Sequence, residues 1–434
     1  MEISKLYQLY LKYPQITTDS RVCPEGSLFI ALKGEKFNGN KFALSALQKG
    51  CARAIIDEPE YQIPGDSRYI LVDNCLKTYQ QLAREHRLGF SIPVIGITGT
   101  NGKTTTKELV SAVLGQKYNV LHTDGNFNND VGVPKTLFRL TKEHQIAVIE
   151  MGASHPGDIK TLVEIVEPDY GIITNVGKAH LQGFGSFEGV IRTKGELYDY
   201  LRTKQSSKVF INADNPYLMN ISHGLSLIKY GTKGGGELLV KGEVTNCSPF
   251  LNFRWCNMQT GHWNKVRTHL VGAYNIDNML AAACIGLQFE VPEAQICQAL
   301  AEYAPSNNRS QLTVTADNKL IVDAYNANPT SMHAAIENFK AMHVSPKIAI
   351  LGDMRELGNA SKEEHQRITD ELKNAHFDEV WLIGEAFCNT KSDFRKFHNI
   401  EEVKTALQTN KPKGCYILIK GSNGLHLSQL PELL

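Results

Sequence analysis

Residues 96 to 105, Gly-Ile-Thr-Gly-Thr-Asn-Gly-Lys-Thr-Thr, follow directly on the apolar run Ile92, Val94, Ile95, Ile97. A glycine-rich turn between a strand and a helix presents several backbone N–H groups to an anion at the positive end of the helix. Phosphate is the natural guest. Gly99 and Gly102 let the chain turn tightly, Lys103 supplies a point charge for terminal phosphates, and Thr104 supplies a hydroxyl for an accompanying Mg2+. Thr100, Asn101 and Thr105 complete the loop. The common Gly-x-x-x-x-Gly-Lys form needs glycine at 97, which is Ile97; the pattern here is the shorter Gly99-x-x-Gly102-Lys103-Thr104. An ordinary turn with a solvent-facing lysine is the plain alternative, but the flanks argue against it: a strand precedes, and Leu109, Val110, Val113 and Leu114 mark an amphipathic helix after.

Other polar residues stand just after apolar runs, where open α/β sheets bind ligands. Glu150 ends "IAVIE"; Asn175, Lys178 and His180 follow "YGIIT"; Asp323, Tyr325 and Asn326 follow "KLIV". Mg2+ takes oxygen ligands in near-octahedral geometry, which suits Thr104 and Glu150. His180 is weaker on its own, because imidazole is an uncommon Mg2+ ligand. Lys194 reads as a solvated helix lysine, and Arg309 as a planar fork for phosphate, ribose or an ordinary surface pair. Asn275 and Asn278, three apart on one helix face, offer amides that read a base edge or cap a helix. "GNFNNDVGVP", with Asn126 and Asn129, is either a surface turn or a substrate-binding loop.

The elements that position these groups read as α/β. A chain of 434 residues with 42% hydrophobic content has room for two to four packed domains. Residues 1–85 mix short strands ("SLFIAL", "ARAIID", "YILV") with a helix near Lys41–Lys49, a small recognition module. Residues 86–305 alternate strands and helices, the pattern of a mostly parallel sheet covered on both faces, opened by the phosphate loop. Residues 306–434 repeat that alternation as a second doubly wound unit of Rossmann type.

The formal charge of +1 gives no long-range pull toward nucleic acid or anionic membrane. No apolar stretch reaches membrane-span length and the N-terminal stretch lacks a signal-peptide core, so a cytoplasmic protein without membrane insertion is expected. Nine cysteines without a C-x-x-C pair indicate neither a zinc site nor a disulfide framework.

Taken in order, "TDSRVCPEGSLFIALKGEKFNGNKF", "GTNGKTT", "GNFNNDVGVP", "EMGASHPGDI", "TNVGKAHL", "RTKGEL", "DAYNANPTSM", "LGDMRELG" and "IKGS" resemble the Mur ligases, ATP-dependent amide-bond-forming enzymes of peptidoglycan synthesis. The resemblance covers nearly the whole chain. Its third-domain motifs imply the member that joins D-alanyl-D-alanine to UDP-N-acetylmuramoyl-tripeptide. It implies a three-domain fold, a monomer, and Ser20 and Arg21 at the UDP-sugar. Lys103 goes to the ATP phosphates, Thr104 to one Mg2+, and Glu150 with His180 to a second. It also implies a carbamylated Lys194, which reverses the solvated-lysine reading because a carbamate is a carboxylate-like anion. Asn275 and Asn278 approach adenine, Arg309 and Asp323 the ribose and phosphates, Tyr325 and Asn326 the nucleotide, and Asn126 and Asn129 the muramoyl-peptide.

Three positions depart from the family pattern. Tyr274 stands where histidine is common, Asn38-Gly39-Asn40 replaces Asp-Gly-His, and Asn423 replaces the arginine of the last motif. Rival readings are a related amide ligase, including folylpolyglutamate synthase, with another amine, and a nucleotide switch. The third-residue ligase's Asp-Asn-Pro-Arg signature is absent, as is the guanine-reading Asn-Lys-x-Asp of the switch proteins. The chemistry implied is phosphoryl transfer to a carboxylate followed by attack of an amine, with the third domain closing on the second to exclude water.

Overall fold

The computed structural model describes residues 2–234, 237–305 and 311–434, and lays out three main sheets in chain order. The first pairs Ile16–Thr17, Leu28–Ile30, Arg53–Ile56 and Tyr69–Leu71 in that order, all parallel. Its core joins Phe29 and Ile55 to Leu6 and Tyr10 of the helix Ile3–Lys12 and to Tyr79 and Leu82 of the helix Cys75–Leu88. That last helix runs through the division expected at 85, so we place the first boundary in the linker at 89–93.

The central sheet has nine strands. Val94–Thr98 lies between Ile146–Glu150 on one side and Tyr170–Ile173 on the other, all parallel. Both neighbours come later in the chain, which runs first to one side of Val94–Thr98 and then crosses to the other, and this makes its carboxyl end a topological switch point, the place where open α/β sheets open a crevice. Ile95 and Ile97 face the core shared with Leu109, Val110 and Met279; Val94 faces the opposite core with Ile173, Leu197 and Tyr198. Burial on both faces is why these strands read as unbroken apolar runs rather than as alternation.

One feature of this sheet was not expected. Val240–Cys247, Phe250–Asn257 and His262–Val271 extend it as an antiparallel meander, so the unit is not parallel throughout. Inward Phe253, Trp255 and Val266 alternate with outward polar residues, a period of two that a helix-and-parallel-strand reading passes over.

The C-terminal sheet orders Gln311–Val314, Lys319–Asp323, Tyr416–Lys420, Lys347–Gly352, Glu379–Ile383 and Arg395–Phe397, parallel except for its first edge strand. Separate cores cover its two faces, one around Phe339 and Leu351, the other around Ile350 and Ile417. Among the described residues no helix is long and apolar enough to cross a membrane.

The first unit holds a buried polar knot at its altered motif. Gly39 has no room for a side chain, since a Cβ there would lie 2.4 Å from the Leu32 carbonyl. The neighbouring Asn40 turns inward, donates to Asp57 Oδ1 at 2.9 Å and accepts from the Asp57 N–H at 3.0 Å. Asp57 also accepts from the Cys75 N–H at 3.0 Å and pairs with Lys33 at 3.0 Å, tying the start of the Cys75–Leu88 helix to the strand end. Asn38, the other altered residue, donates to Glu58 at 2.6 Å. Both asparagines are therefore satisfied within the unit. Asp57→Ala leaves Asn40 and the helix N-terminus without their acceptor and is expected to destabilise the protein by roughly 1–3 kcal/mol. Urea unfolding checks this, and an unchanged midpoint would contradict the knot's role.

Candidate active site

The loop after Val94–Thr98 can be made only with glycine at two places. Gly99 has φ +144° and Gly102 φ +77°, both in the left-handed region. A Cβ on Gly99 would lie 2.0 Å from Thr174 Oγ1, and one on Gly102 would lie 2.7 Å from Asn278 Oδ1. The space so kept free is used by hydrogen bonds. Thr174 Oγ1 donates to the Asn101 carbonyl at 2.7 Å, and Asn175 both donates to that carbonyl at 2.9 Å and accepts from the Asn101 N–H at 3.0 Å. The helix Lys103–Leu114 begins at once, so its first-turn N–H groups have no intrahelical acceptor and present a positive dipole end to the crevice. Lys103 Nζ curls over the loop, 3.0 Å from the carbonyls of both Gly99 and Thr100.

Glu150, 1% exposed, ends the neighbouring strand. Its Oε1 accepts from Asn128 Nδ2 at 2.8 Å and from Thr104 Oγ1 at 3.2 Å. Its backbone N–H donates to Thr123 Oγ1, and the buried Lys107 ammonium holds the Thr123 carbonyl at 2.7 Å. Oε2 is buried without a hydrogen-bond partner. An unpaired carboxylate oxygen is costly in a low-dielectric setting, and a cation beside Thr104 would satisfy it. Among the described residues no group of three or more His, Cys, Asp or Glu could hold a metal by itself. A hard cation here therefore needs phosphate oxygens and water to complete its shell, which is how Mg2+ is held at nucleotide sites.

The C-terminal unit supplies the facing wall. Lys420, 1% exposed, bonds Asp323 Oδ2 at 2.6 Å and the Asn326 carbonyl at 3.2 Å, fixing the segment that carries Tyr325. Contacts between the two units surround the crevice: Asn328 Nδ2 donates to Asn101 Oδ1 at 2.8 Å, and Lys178 pairs with Glu364 at 2.6 Å. His180 pairs with Glu356, and both have left-handed backbone, φ +49° and +63°. Non-glycine residues held in that region mark an over-determined local structure, and such strain concentrates at functional sites. Helix Cys75–Leu88 of the first unit closes a third side with Leu76 and Gln80, and the whole encloses a cavity of about 990 Å³.

The lining contains Thr100, Asn101, Gly102, Lys103, Thr104, Thr105, Asn129, Glu150, His180, Asn275, Asn278, Asp323, Tyr325 and Asn326. Lys194 sits just behind it, 2% exposed, with Nζ 3.4 Å from the Ala153 carbonyl and 5.2 Å from the centre of the Phe184 ring. It is not a solvated helix lysine: burial, with the Lys103 charge added, holds its amine well below the usual range. Arg309 lies outside the described residues.

Three of the expected groups are placed as follows. Asn126 is exposed and does not line the cavity; Asn128, two residues on, is the one that reaches Glu150. Ser20 and Arg21 belong to the first unit and lie outside this cavity, where Arg21 forks onto Asp19, whose carboxyl that bond pulls down to about 2. Asn275 and Asn278 spend amide groups on the protein itself. Asn275 Nδ2 donates to the Val271 carbonyl, Asn278 Nδ2 to Asn275 Oδ1, and Asn278 Oδ1 accepts from Thr106, so the pair buttresses the loop helix.

Asn128, Asp277, Asn328 and Glu356 are the site residues that motif reading passed over. Asn128, Asn328 and Glu356 sit inside quoted motifs and Asp277 lies between Asn275 and Asn278, but only the tertiary contact shows which side chain turns inward. Of the departures, Tyr274 lines the cavity with its ring over Gly272, whereas Asn423 is exposed.

A phosphate loop at a switch point, a buried carboxylate beside its threonine and a second α/β unit closing the crevice define a nucleotide-dependent enzyme assembled from several units. Comparison with known proteins gives the family. The Mur ligase family catalytic domain matches residues 12–87, the Mur ligase middle domain 97–286, and the Mur ligase glutamate ligase domain 308–423. The UDP-N-acetylmuramoyl-tripeptide–D-alanyl-D-alanine ligase of Bacillus subtilis is 33% identical, with 96% of this chain and 92% of that protein covered. MurF from Acinetobacter baumannii superposes with a TM-score of 0.87 at 30% identity, covering 96% of this chain and 92% of that one. MurF ligase from Thermotoga maritima, solved with ADP, gives 0.87 at 28% identity over 98% and 97%. The chain belongs to the Mur ligase family, whose members form amide bonds in an ATP-dependent reaction.

Asp277, beside Tyr274 in the lining, carries a carboxyl that burial, together with the Asp214 charge, raises to about 6. An acid with a raised folded value is penalised where it must ionise: there is no cost below about pH 4, where it is protonated in both states, and full cost above its folded value. Asp277→Asn is therefore expected to stabilise the fold by roughly 1–3 kcal/mol near pH 8, the gain fading as pH falls through 6 toward 4. Denaturant titrations across that range check the sign, and a stability loss near pH 8 would contradict it.

Proposed function

We propose that this enzyme joins D-alanyl-D-alanine to UDP-N-acetylmuramoyl-tripeptide at the cost of ATP, giving UDP-N-acetylmuramoyl-pentapeptide, ADP and phosphate for peptidoglycan synthesis. The observation that carries it is the convergence of all three units on one cavity, with the phosphate loop and Glu150 on one wall and Asp323, Tyr325 and Asn326 on the other. The likeness to ligases of that name over nearly the whole chain supports the choice of substrates. Ser20 and Arg21 hold the UDP-sugar in the first unit, and Asn129 faces the muramoyl-peptide. Arg309 and Asp323 serve the ribose and phosphates, and Tyr325 and Asn326 the nucleotide. A monomer is expected from the family resemblance, and nine free cysteines suit the reducing cytoplasm.

Joining a carboxylate to an amine in water is uphill, so the carboxylate is first activated. The peptide's terminal carboxylate attacks the γ-phosphorus of ATP, the bond to the β-phosphate oxygen breaks, and acyl phosphate and ADP result. The neutral amine of D-alanyl-D-alanine then adds to the acyl carbon, and the tetrahedral adduct expels phosphate and releases a proton as the amide forms. Lys103 and the first-turn N–H groups offset charge on the transferring phosphoryl group. Thr104 and Glu150 fit one Mg2+, and Glu150 with His180 a second. Bound there, the metal neutralises phosphate charge. Closure of the C-terminal unit through Asn328, Lys178 and His180 keeps water from the acyl phosphate.

Lys194 in its neutral form adds to CO2, forming an N–C bond and losing one proton, which turns the amine into a carbamate beside the metal-binding groups. Lys194→Ala is expected to lose most activity and to regain part of it with added formate or acetate; full activity without rescue agents would remove the carbamate from the account. The function itself is tested by phosphate release with UDP-N-acetylmuramoyl-tripeptide, comparing D-alanyl-D-alanine, single amino acids and glutamate, with mass spectrometry of the product. Release that requires the dipeptide and yields the pentapeptide is expected. Release with a single amino acid would assign a neighbouring ligase step, and release without any amine a nucleotide switch.

A further inference from the structure

The contact between Asn328 and Asn101 has a chemistry that helix capping does not explain. Asn328 precedes the helix Pro329–Ala341, and its Oδ1 accepts from the Ser331 N–H at 2.9 Å while Ser331 Oγ accepts from the Asn328 N–H at 3.1 Å. That reciprocal cap needs only a side-chain acceptor, which serine or aspartate supplies equally well. Asparagine adds a donor. Its Nδ2 crosses to the phosphate loop and donates to Asn101 Oδ1 at 2.8 Å, and the residue is 7% exposed.

Asn101 is the residue before Gly102, whose left-handed turn aims the peptide units that open the loop helix. Its backbone is held from within the central unit, through Thr174 and Asn175. Its side chain meets the C-terminal unit. A second contact seats the same helix start, since the Lys178 N–H donates to Thr330 Oγ1 at 3.1 Å. The bridge therefore joins two rigid elements, a capped helix and a clamped loop, and it forms only when the two units are together.

We propose that Asn328 is a positioning residue: through Asn101 it lets the C-terminal unit set the shape of the phosphate loop, so that the loop holds ATP best when the units are joined. This rests on the ATP-binding reading of the loop. Asn328→Ser keeps a capping acceptor and removes the donor, and Asn101→Ala removes the acceptor from the other side. Each is expected to lower kcat/KM for ATP by roughly five- to tenfold, as loss of one buried hydrogen bond does. The loss should lie in KM for ATP and not in KM for the amine, with Tm lowered by no more than a few degrees. The double variant should be no worse than either single one, because both remove the same bond.

Losses that multiply in the double variant, or parent values of kcat/KM in both single ones, would overturn the proposal. Lys103→Ala, assayed by calorimetry with ADP and Mg2+, separates this from failure of the loop reading. Nucleotide binding that survives Lys103→Ala removes the ATP loop and the proposal together. Binding lost there with parent behaviour in the two asparagine variants removes the proposal alone.

Discussion

A left-handed turn at two glycines is the constraint on which the rest depends. Only a residue without Cβ fits against Thr174 at position 99 and against Asn278 at position 102, so the loop is pressed between the end of one strand and the start of another helix. That pressure fixes where the helix Lys103–Leu114 begins and where its free N–H groups point. Asn278 keeps its place because Asn275 and Thr106 hold its carboxamide. The two amides that the family resemblance assigns to adenine thus also back a phosphate cradle.

The same economy governs the carboxylate. Glu150 is held by one oxygen, through Asn128 and Thr104, and anchored at its backbone by Thr123, which Lys107 braces in turn. The other oxygen is left without a partner in a buried place. On the proposed reading, a carboxylate fixed so closely with one oxygen unsatisfied suits a cation, and the nearby threonine and phosphate loop favour a hard one such as Mg2+. Among the described residues the C-terminal unit makes no hydrogen bond to the Glu150 side chain. Its contribution is enclosure, through His180 with Glu356, Lys178 with Glu364, and Asn101 with Asn328.

Much of this was legible in the residues. Strands buried on both faces appear as continuous apolar runs, so the sequence alone marks the parallel cores of the second and third units and the polar residues at their carboxyl ends. Thr104, Glu150, His180, Asp323, Tyr325 and Asn326 do line one cavity. What local pattern could not supply was direction. Asn126 and Asn128 lie in the same polar loop, yet only one faces Glu150, because which way a loop side chain turns is decided by packing. Lys194 looked solvated because helix periodicity does not reveal that Phe184 and the 153 carbonyl cover its end. The meander 240–271 was missed because its strands continue a sheet otherwise built of parallel crossovers.

On the proposed reading, Glu150 Oε2 and Thr104 Oγ1 form the protein side of a divalent-cation site facing the nucleotide phosphates. Anomalous diffraction from crystals grown with Mn2+ and a non-hydrolysable ATP analogue tests it most directly. An anomalous peak is expected in contact with both oxygens and with the analogue's phosphates, with Lys103 swung from the Gly99 and Thr100 carbonyls onto those phosphates. A nucleotide bound with its phosphates away from the loop, or a metal that does not touch Glu150, would contradict it.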